Sequence, residues 1–167
     1  ISTFYILYIL VGLSVILLWL LFSKILLLIF LIVASYHFGK EDSEFINSKS
    51  NLELVYFFKG SLVITAPLLF HKTETLNIFN NLNFDISQSL FISNEFLYLF
   101  IAISLFANIV ISLNKQIDIK SLLLMDFISV LLLNFFLNPI LAFTIYFCFL
   151  HSIRHSFKLS NELNKKK

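Results

Sequence analysis

The sequence predicts an all-α fold, a polytopic transmembrane helical bundle, and its composition carries that prediction. Of the 167 residues, 59% are hydrophobic and only 13% are charged, and the mean hydropathy is +0.90. A soluble domain needs a much more polar surface. Three glycines and two prolines are too few for a chain of short strands and turns, and the alternating segments of a membrane barrel are not found. The net charge of +2 is too small to indicate nucleic-acid binding.

Six apolar segments are expected to form the helices of a single domain, residues 1–157. They cover residues 4–22, 25–38, 54–70, 95–113, 121–137 and 139–157. The first is about long enough to cross a hydrocarbon core of roughly 30 Å. The polar stretches 39–53 and 71–94 are expected to be loops, and residues 158–167 a polar tail.

Individual residues mark where these segments begin, bend or end. Lys24 separates the first two segments. Pro67 predicts a kink or a half-helix in the third, so a re-entrant segment is also possible there. Asn138 and Pro139 fit the N-cap and first position of the sixth helix. The chain starts at Ile1 without a basic leader, which suggests a fragment whose upstream part is missing rather than a signal peptide.

Charge asymmetry predicts the orientation in the membrane. If all six segments cross, every lysine and arginine except Lys24 and Lys72 falls on one side. By the positive-inside rule that side, with the C-terminus, is predicted to be cytoplasmic, and the cell (inner) membrane is the expected location. His37, His151 and His155 then lie near the cytoplasmic face, whereas His71 lies on the other.

His151 and His155 are the first candidates for metal ligands. Four residues apart on a helix, their side chains share one face, so two imidazoles could bind one metal. The glutamate of a zinc-protease HExxH motif is absent. The alternative is a pair of interfacial histidines beside Arg154. The metal interpretation is favoured because three of only four histidines reach one membrane leaflet.

His37 is the third candidate ligand. Gly39 would let the chain turn sharply after the helix, and Asp42 could accept a hydrogen bond from a ligand imidazole or be a solvated loop carboxylate. His71, at a helix end, is interpreted as structural unless the third segment re-enters. Asp126, Asn134 and Asn138 are expected to make interhelical hydrogen bonds, Tyr146 is interpreted as a packing or interfacial aromatic, and the many phenylalanines could line a polyene slot or face lipid.

Three stretches resemble the Brp/Blh family of bacterial and archaeal β-carotene dioxygenases. They are 35–39 with Asp42, 59–60 through 67–71, and 147–155. The elements His37-Phe38-Gly39 with Asp42 and His151-Ser152-x-Arg154-His155 are together fairly specific, and the resemblance spans about residues 35–157.

The resemblance implies an all-helical membrane enzyme that holds iron(II), Fe(2+), by four histidines. It would cleave the central double bond of β-carotene with O₂, delivered from membrane lipid, to give two retinals, often for a rhodopsin-type pump. Carried over by position, His37, His151 and His155 are three iron ligands, and the fourth is expected upstream of Ile1. Asp42, Arg154 and His71 are candidates for orienting groups around the ligands. Lys72 departs from the proline that commonly follows the family's Phe-His pair.

Three alternatives remain open at this point. A haem protein could use two histidines, although bis-His haem usually takes its ligands from two facing helices. A non-catalytic transporter or assembly subunit would use the charged residues as a substrate path, but it often shows internal repeats. A zinc site would have the same ligands as an iron site.

Overall fold

The computed structural model describes residues 2–44, 52–84, 92–113, 115–156 and 160, and nearly all of this part of the chain is helical. The helices are α1 (Ser2–Glu44), α2 (Glu53–Phe70), α3 (Lys72–Asn81), α4 (Asn94–Ser112), α5 (Ile117–Phe136) and α6 (Pro139–Ile145). A π-helical turn, Tyr146–His151, continues α6, and helical conformation extends to residue 156. We call residues 139–156 the C-terminal helix. The all-α prediction is confirmed.

Four of these helices are long and apolar enough to cross a membrane. They are α2, α4, α5 and the stretch Thr3–Ser43 of α1. The large apolar side chains exposed along them suit a lipid environment, which identifies the chain as a helical membrane protein. The sixth predicted segment corresponds to the C-terminal helix, so the number of spans depends on how α1 and this helix meet the bilayer.

The first two predicted segments form one helix, α1, instead of two separate helices. Its 43 residues are about 65 Å long at a helical rise of 1.5 Å per residue, roughly twice the thickness of a hydrocarbon core. The break expected at Lys24 appears as a kink at Phe22, where φ is −138° and ψ is 45°. The apolar residues on both sides keep the chain helical apart from that residue.

The loop expected at residues 39–53 is wrong for its first part, because α1 continues to Glu44. Gly39 does not turn the chain. It lets α1 cross α2 closely: a Cβ atom on Gly39 would lie 1.8 Å from the carbonyl oxygen of Tyr56, and one on Gly60 would lie 1.9 Å from that of Ser35. Backbone contact at this crossing stabilises the end of α1. The remainder of the predicted loop, 45–51, lies outside the described residues.

The loop expected at 71–94 is also wrong in part, because α3 forms within it. Thr75 and Phe79, four residues apart, are buried, and this apolar face holds the helix against the bundle. Pro67 does not break α2, which ends at Phe70. The chain then bends at His71, whose N–H donates to the carbonyl oxygen of Pro67 over 2.9 Å.

Helix α2 lies at the centre of the bundle. It packs against α1 on one side and α4 on another, with further contacts to α5 and α3, and the π-helical turn reaches α1. The predicted N-cap of α6 is confirmed, since the side chain of Asn138 accepts a hydrogen bond from the N–H of Leu141 over 2.9 Å. A buried cluster that includes Phe38, Val63 and Tyr146 joins α1, α2 and the π-helical turn. These contacts bring the end of α1 beside the C-terminal helix.

Candidate metal centre

His37 and His151 meet where α1 lies beside the C-terminal helix. Their ring centroids are 5.4 Å apart and the rings make an edge contact at 63°. Phe38 packs edge-on against His151, with 5.0 Å between centroids. His151 is buried, whereas His37 is exposed. The two histidines, 114 positions apart in sequence, therefore come together at one end of the bundle.

The carboxylate of Asp42 holds the ring of His151. Nδ1 of His151 lies 3.0 Å from Oδ1 of Asp42. The hydroxyl of Tyr146 donates to Oδ2 of the same carboxylate over 2.7 Å. All three side chains are buried. Because an ionised carboxylate only accepts hydrogen bonds, this contact places the imidazole hydrogen on Nδ1.

A second imidazole–carboxylate pair lies one helical turn further along. Nδ1 of His155 is 3.1 Å from Oε2 of Glu41. This pair is more open than the first, since the His155 side chain is 54% exposed. Glu41 and Asp42 are neighbours on α1, so adjacent carboxylates engage two histidines that are four residues apart.

Both pairs use Nδ1, which leaves Nε2 as the ring nitrogen for a ligand. A metal-binding histidine commonly donates its other N–H to a carboxylate, which fixes the tautomer and the direction of the ring. Residues of this kind fit a transition metal that prefers imidazole nitrogen. Within the part of the chain that the structure describes, however, no group of three or more His, Cys, Asp or Glu side chains stands close enough to enclose a metal ion.

The structure does not bring His71 to this place. It lies eleven residues beyond Gly60 along α2, about 16 Å at helical rise, whereas Gly60 is level with Gly39. Nδ1 of His71 is 3.9 Å from the carboxylate of Glu74. Its Nε2 is buried and has no hydrogen-bond partner among the described residues.

Lys59 of α2 holds the end of α1 through two hydrogen bonds. Its ammonium group is buried and donates to the carbonyl oxygen of Asp42 over 3.0 Å and to the hydroxyl of Ser43 over 2.8 Å. A buried ammonium is costly unless its hydrogen bonds are made. Here they fix the backbone that carries Asp42, and the ammonium also contributes positive charge near this carboxylate.

Arg154 ties the C-terminal helix to α5. Its guanidinium donates from Nη1 to Oδ2 of Asp126 over 2.7 Å and from Nη2 to Oδ1 of the same residue. This two-point contact limits rotation of both groups. It matches the interhelical hydrogen bonding expected of Asp126, and it holds the helical turn between His151 and His155.

Sequence reasoning missed three residues around the histidines: Glu41, Lys59 and Tyr146. Glu41 was treated as part of a solvated loop, although it lies four residues after His37, the spacing of one helical turn. Tyr146 was interpreted as packing, but its hydroxyl contacts Asp42. The sequence signal available for Tyr146 was its polar hydroxyl in the same apolar run as His151. Nothing in the sequence predicted the π-helical turn that connects Tyr146 with His151.

Comparison with protein families agrees with the resemblance in the sequence. The family model for beta-carotene 15,15'-dioxygenase matches residues 1–167, the whole chain. Comparisons with curated proteins and with solved structures give no match. The matched range includes the crossing of α1 with α2, the imidazole–carboxylate pairs and the C-terminal helix. The chain therefore belongs to the beta-carotene 15,15'-dioxygenase family.

Proposed function

We propose that this protein cleaves the central double bond of β-carotene to two molecules of retinal in an iron(II)-dependent reaction, with His37, His151 and His155 as iron ligands. The observation that carries the proposal is the pair of imidazole–carboxylate contacts, His151 with Asp42 and His155 with Glu41. Each turns a histidine so that Nε2 remains for a metal. The ring of His37, in contact with that of His151, supplies the third imidazole.

The charges around the three imidazoles favour a cation. Three carboxylates lie there, those of Glu41, Asp42 and Asp126, against the two cationic groups of Lys59 and Arg154. Imidazole nitrogen suits iron(II), and three such ligands leave coordination positions open. Zinc has the same preferences, so metal analysis of the purified protein is part of the test.

The reaction needs no co-substrate other than O₂. The double bond between the two central carbons breaks, and each carbon forms a C=O bond with one oxygen atom, so both atoms of O₂ end in aldehydes and no external reductant is consumed. When bound, iron activates O₂. Asp42 keeps the hydrogen on Nδ1 of His151, Tyr146 fixes the second oxygen of Asp42, and Phe38 covers one side of the imidazole and keeps water from it.

A membrane location follows from the substrate. β-Carotene is wholly apolar and about as long as a bilayer core is thick, so it enters a bundle most directly from lipid. We propose that the protein lies in the cell membrane with its C-terminus in the cytoplasm, from the lysine asymmetry. Its retinal would supply a rhodopsin-type pump.

The contact between His37 and His151 argues against the haem alternative. A bis-His haem must sit between its two ligand rings. Rings in edge contact, with centroids 5.4 Å apart, leave no room for a macrocycle between them. A small ion bound at Nε2 needs no such gap.

Replacing His151 by Ala in the full-length protein tests the proposal. In β-carotene-producing cells, the variant is expected to form no retinal, and the purified protein to hold at least about tenfold less iron than the unsubstituted protein, since metal affinity depends on each ligand. Cys148→Ala is the matched control, because Cys148 is exposed on the same helix. It should keep both properties.

Two results would contradict the proposal. One is retinal formation by His151→Ala at the rate of the unsubstituted protein. The other is purified protein that forms retinal with zinc bound and no iron, which would keep the cleavage reaction but overturn the metal.

A further inference from the structure

A partly open apolar cavity lies among α2, α3 and the start of the C-terminal helix. Its volume is about 230 Å³ and its walls include Val63, Pro67, Ile78, Phe79, Pro139 and Phe143. The hydroxyl of Thr75, the polar side chain on its wall, donates to backbone carbonyl oxygens of α2 and the following turn. A dry apolar cavity of roughly 150 Å³ can hold benzene. This cavity therefore has room for a six-membered ring that carries methyl groups.

A row of parallel rings connects this cavity with His151. Phe143, on the cavity wall, stacks on Phe147 with 5.9 Å between centroids and 17° between ring planes. Phe147 stacks in turn on His151, at 5.6 Å and 23°. Both phenylalanines are partly exposed, at 45% and 42%. They therefore offer ring surface to a molecule lying along the helix, and that surface ends at the buried imidazole.

The length of this row matches half of a carotenoid. The two centroid spacings, 5.9 Å and 5.6 Å, place the rings of Phe143 and His151 at most about 11.5 Å apart. β-Carotene is about as long as a hydrocarbon core of roughly 30 Å, so its middle lies about 15 Å from either end. A terminal ring inside the cavity, beyond Phe143, would place the central double bond close to His151.

We propose that the cavity holds one terminal ring of β-carotene, and that Phe143 and Phe147 carry the adjoining half of the polyene toward His151. This inference rests on the proposed function and adds the origin of its selectivity. The wall of the cavity stops the substrate and thereby sets which double bond lies at the metal. A lipid acyl chain could also enter an apolar cavity, but a flat conjugated chain is the partner that a row of parallel rings fits best.

Filling the cavity tests directly whether its wall stops the substrate. Ile78→Trp puts a larger side chain on the wall, so the ring of the substrate cannot enter fully and the polyene is displaced along the row. The expected result is an unequal pair of aldehydes, one longer and one shorter than retinal, or at least about a tenfold loss of retinal. Ile109→Trp, on an exposed face of α4, should form retinal alone, as the unsubstituted protein does. Chromatography with mass spectrometry identifies the products.

Replacing Phe147, one ring of the row, tests the proposed binding path of the polyene in the absence of catalysis. The purified full-length protein is mixed with β-carotene in detergent micelles without O₂, so that no cleavage occurs. Phe147→Ala is expected to bind β-carotene about 2- to 10-fold more weakly, as expected for the loss of one aromatic contact. Phe149→Ala is the matched control, because Phe149 is 64% exposed on the same helix. It should bind as the unsubstituted protein does.

The two experiments separate this inference from the proposed function. An unsubstituted protein that binds β-carotene through Phe147 but forms no retinal would contradict the function and leave the path standing. Retinal as the single product of Ile78→Trp, at an unchanged rate, would overturn the inference while the function stands. Equal β-carotene binding by Phe147→Ala and Phe149→Ala would overturn it as well. The inference would also be overturned if Ile78→Trp lost bound phospholipid but still bound β-carotene as the unsubstituted protein does.

Discussion

The two halves of α1 differ in the side chains that they expose and bury. Toward its start, large apolar residues face outward, and Tyr8 and Leu20 are 72% and 76% exposed. Toward its end, Ser35 and Asp42 are 3% and 7% exposed. Outside the bundle the solvent is lipid, so exposed apolar side chains cost little there. Polar side chains are buried where they find hydrogen-bond partners. This occurs at the end of α1, where the candidate metal centre lies.

The surroundings of the glycines differ between the two halves in the same way. A Cβ atom on Gly12 would meet nothing within 4 Å, whereas one on Gly39 would overlap the backbone of Tyr56. Close helix contact at the second site brings backbone to backbone, which polar side chains such as Lys59 then reinforce. Substitutions in the two halves should therefore have different effects.

Gly39→Ala should have the largest effect. The new methyl group would lie 1.8 Å from the carbonyl oxygen of Tyr56, and backbone atoms on both sides prevent a small adjustment. We expect a loss of at least about 3 kcal/mol in the free energy of unfolding, at the upper end of the cost of overpacking, with little protein recovered in detergent. Denaturation in mixed micelles measures it.

Gly12→Ala is the control on the same helix. Its methyl group enters open space, and alanine is the better helix former by about 1 kcal/mol. The variant should be as stable as the unsubstituted protein or slightly more so. Equal stability of the two variants would show that the crossing of α1 with α2 is not tightly packed, and the contrast between the halves would fail.

The sequence predicted the class of fold because apolar runs of sufficient length leave few alternatives. It also predicted that His37 and His151 approach one another, since both lie near ends of apolar segments on the same side; the approach of His155 to them stays a prediction. It did not predict that α1 continues past Gly39. A run of polar residues after a glycine is typical of a loop, whereas Gly39 here lies against Gly60, 21 positions later, in the crossing with α2. The cavity beside α3 was missed because the residues of α3 were predicted to form a loop.

Asp42→Asn should have the next largest effect, on metal binding rather than on folding. The amide cannot accept at both positions where the carboxylate accepts from His151 and Tyr146, so the imidazole loses its fixed tautomer. Changes to groups of this kind commonly cost 10- to 100-fold in metal affinity. We expect a loss of about that size in iron affinity of the purified protein and in retinal formed by cells.

Glu41→Gln is the matched change at the open pair. The His155 side chain is 54% exposed, so water can replace part of the lost contact, and exposed ion pairs contribute about 0.2–1 kcal/mol. The iron affinity should fall by less than about fivefold. A loss as large as that of Asp42→Asn would mean that the two pairs are equally important, and that burial does not decide their strength.

Tyr146→Phe isolates one hydrogen bond and should change stability more than iron affinity. The hydroxyl donates to Oδ2 of Asp42, whose Oδ1 still meets His151 in the variant. A hydrogen bond to a charged group contributes about 1.5–3 kcal/mol, and the phenyl ring keeps the packing against Phe38. We expect stability to fall by about that amount and iron affinity by only a few-fold. Tyr98→Phe, on an exposed position of α4, should change neither. If Tyr146→Phe matched Asp42→Asn in iron affinity, the ring of His151 would depend on the second oxygen of Asp42 as much as on the first, and the tyrosine would have to be counted among the groups that build the site.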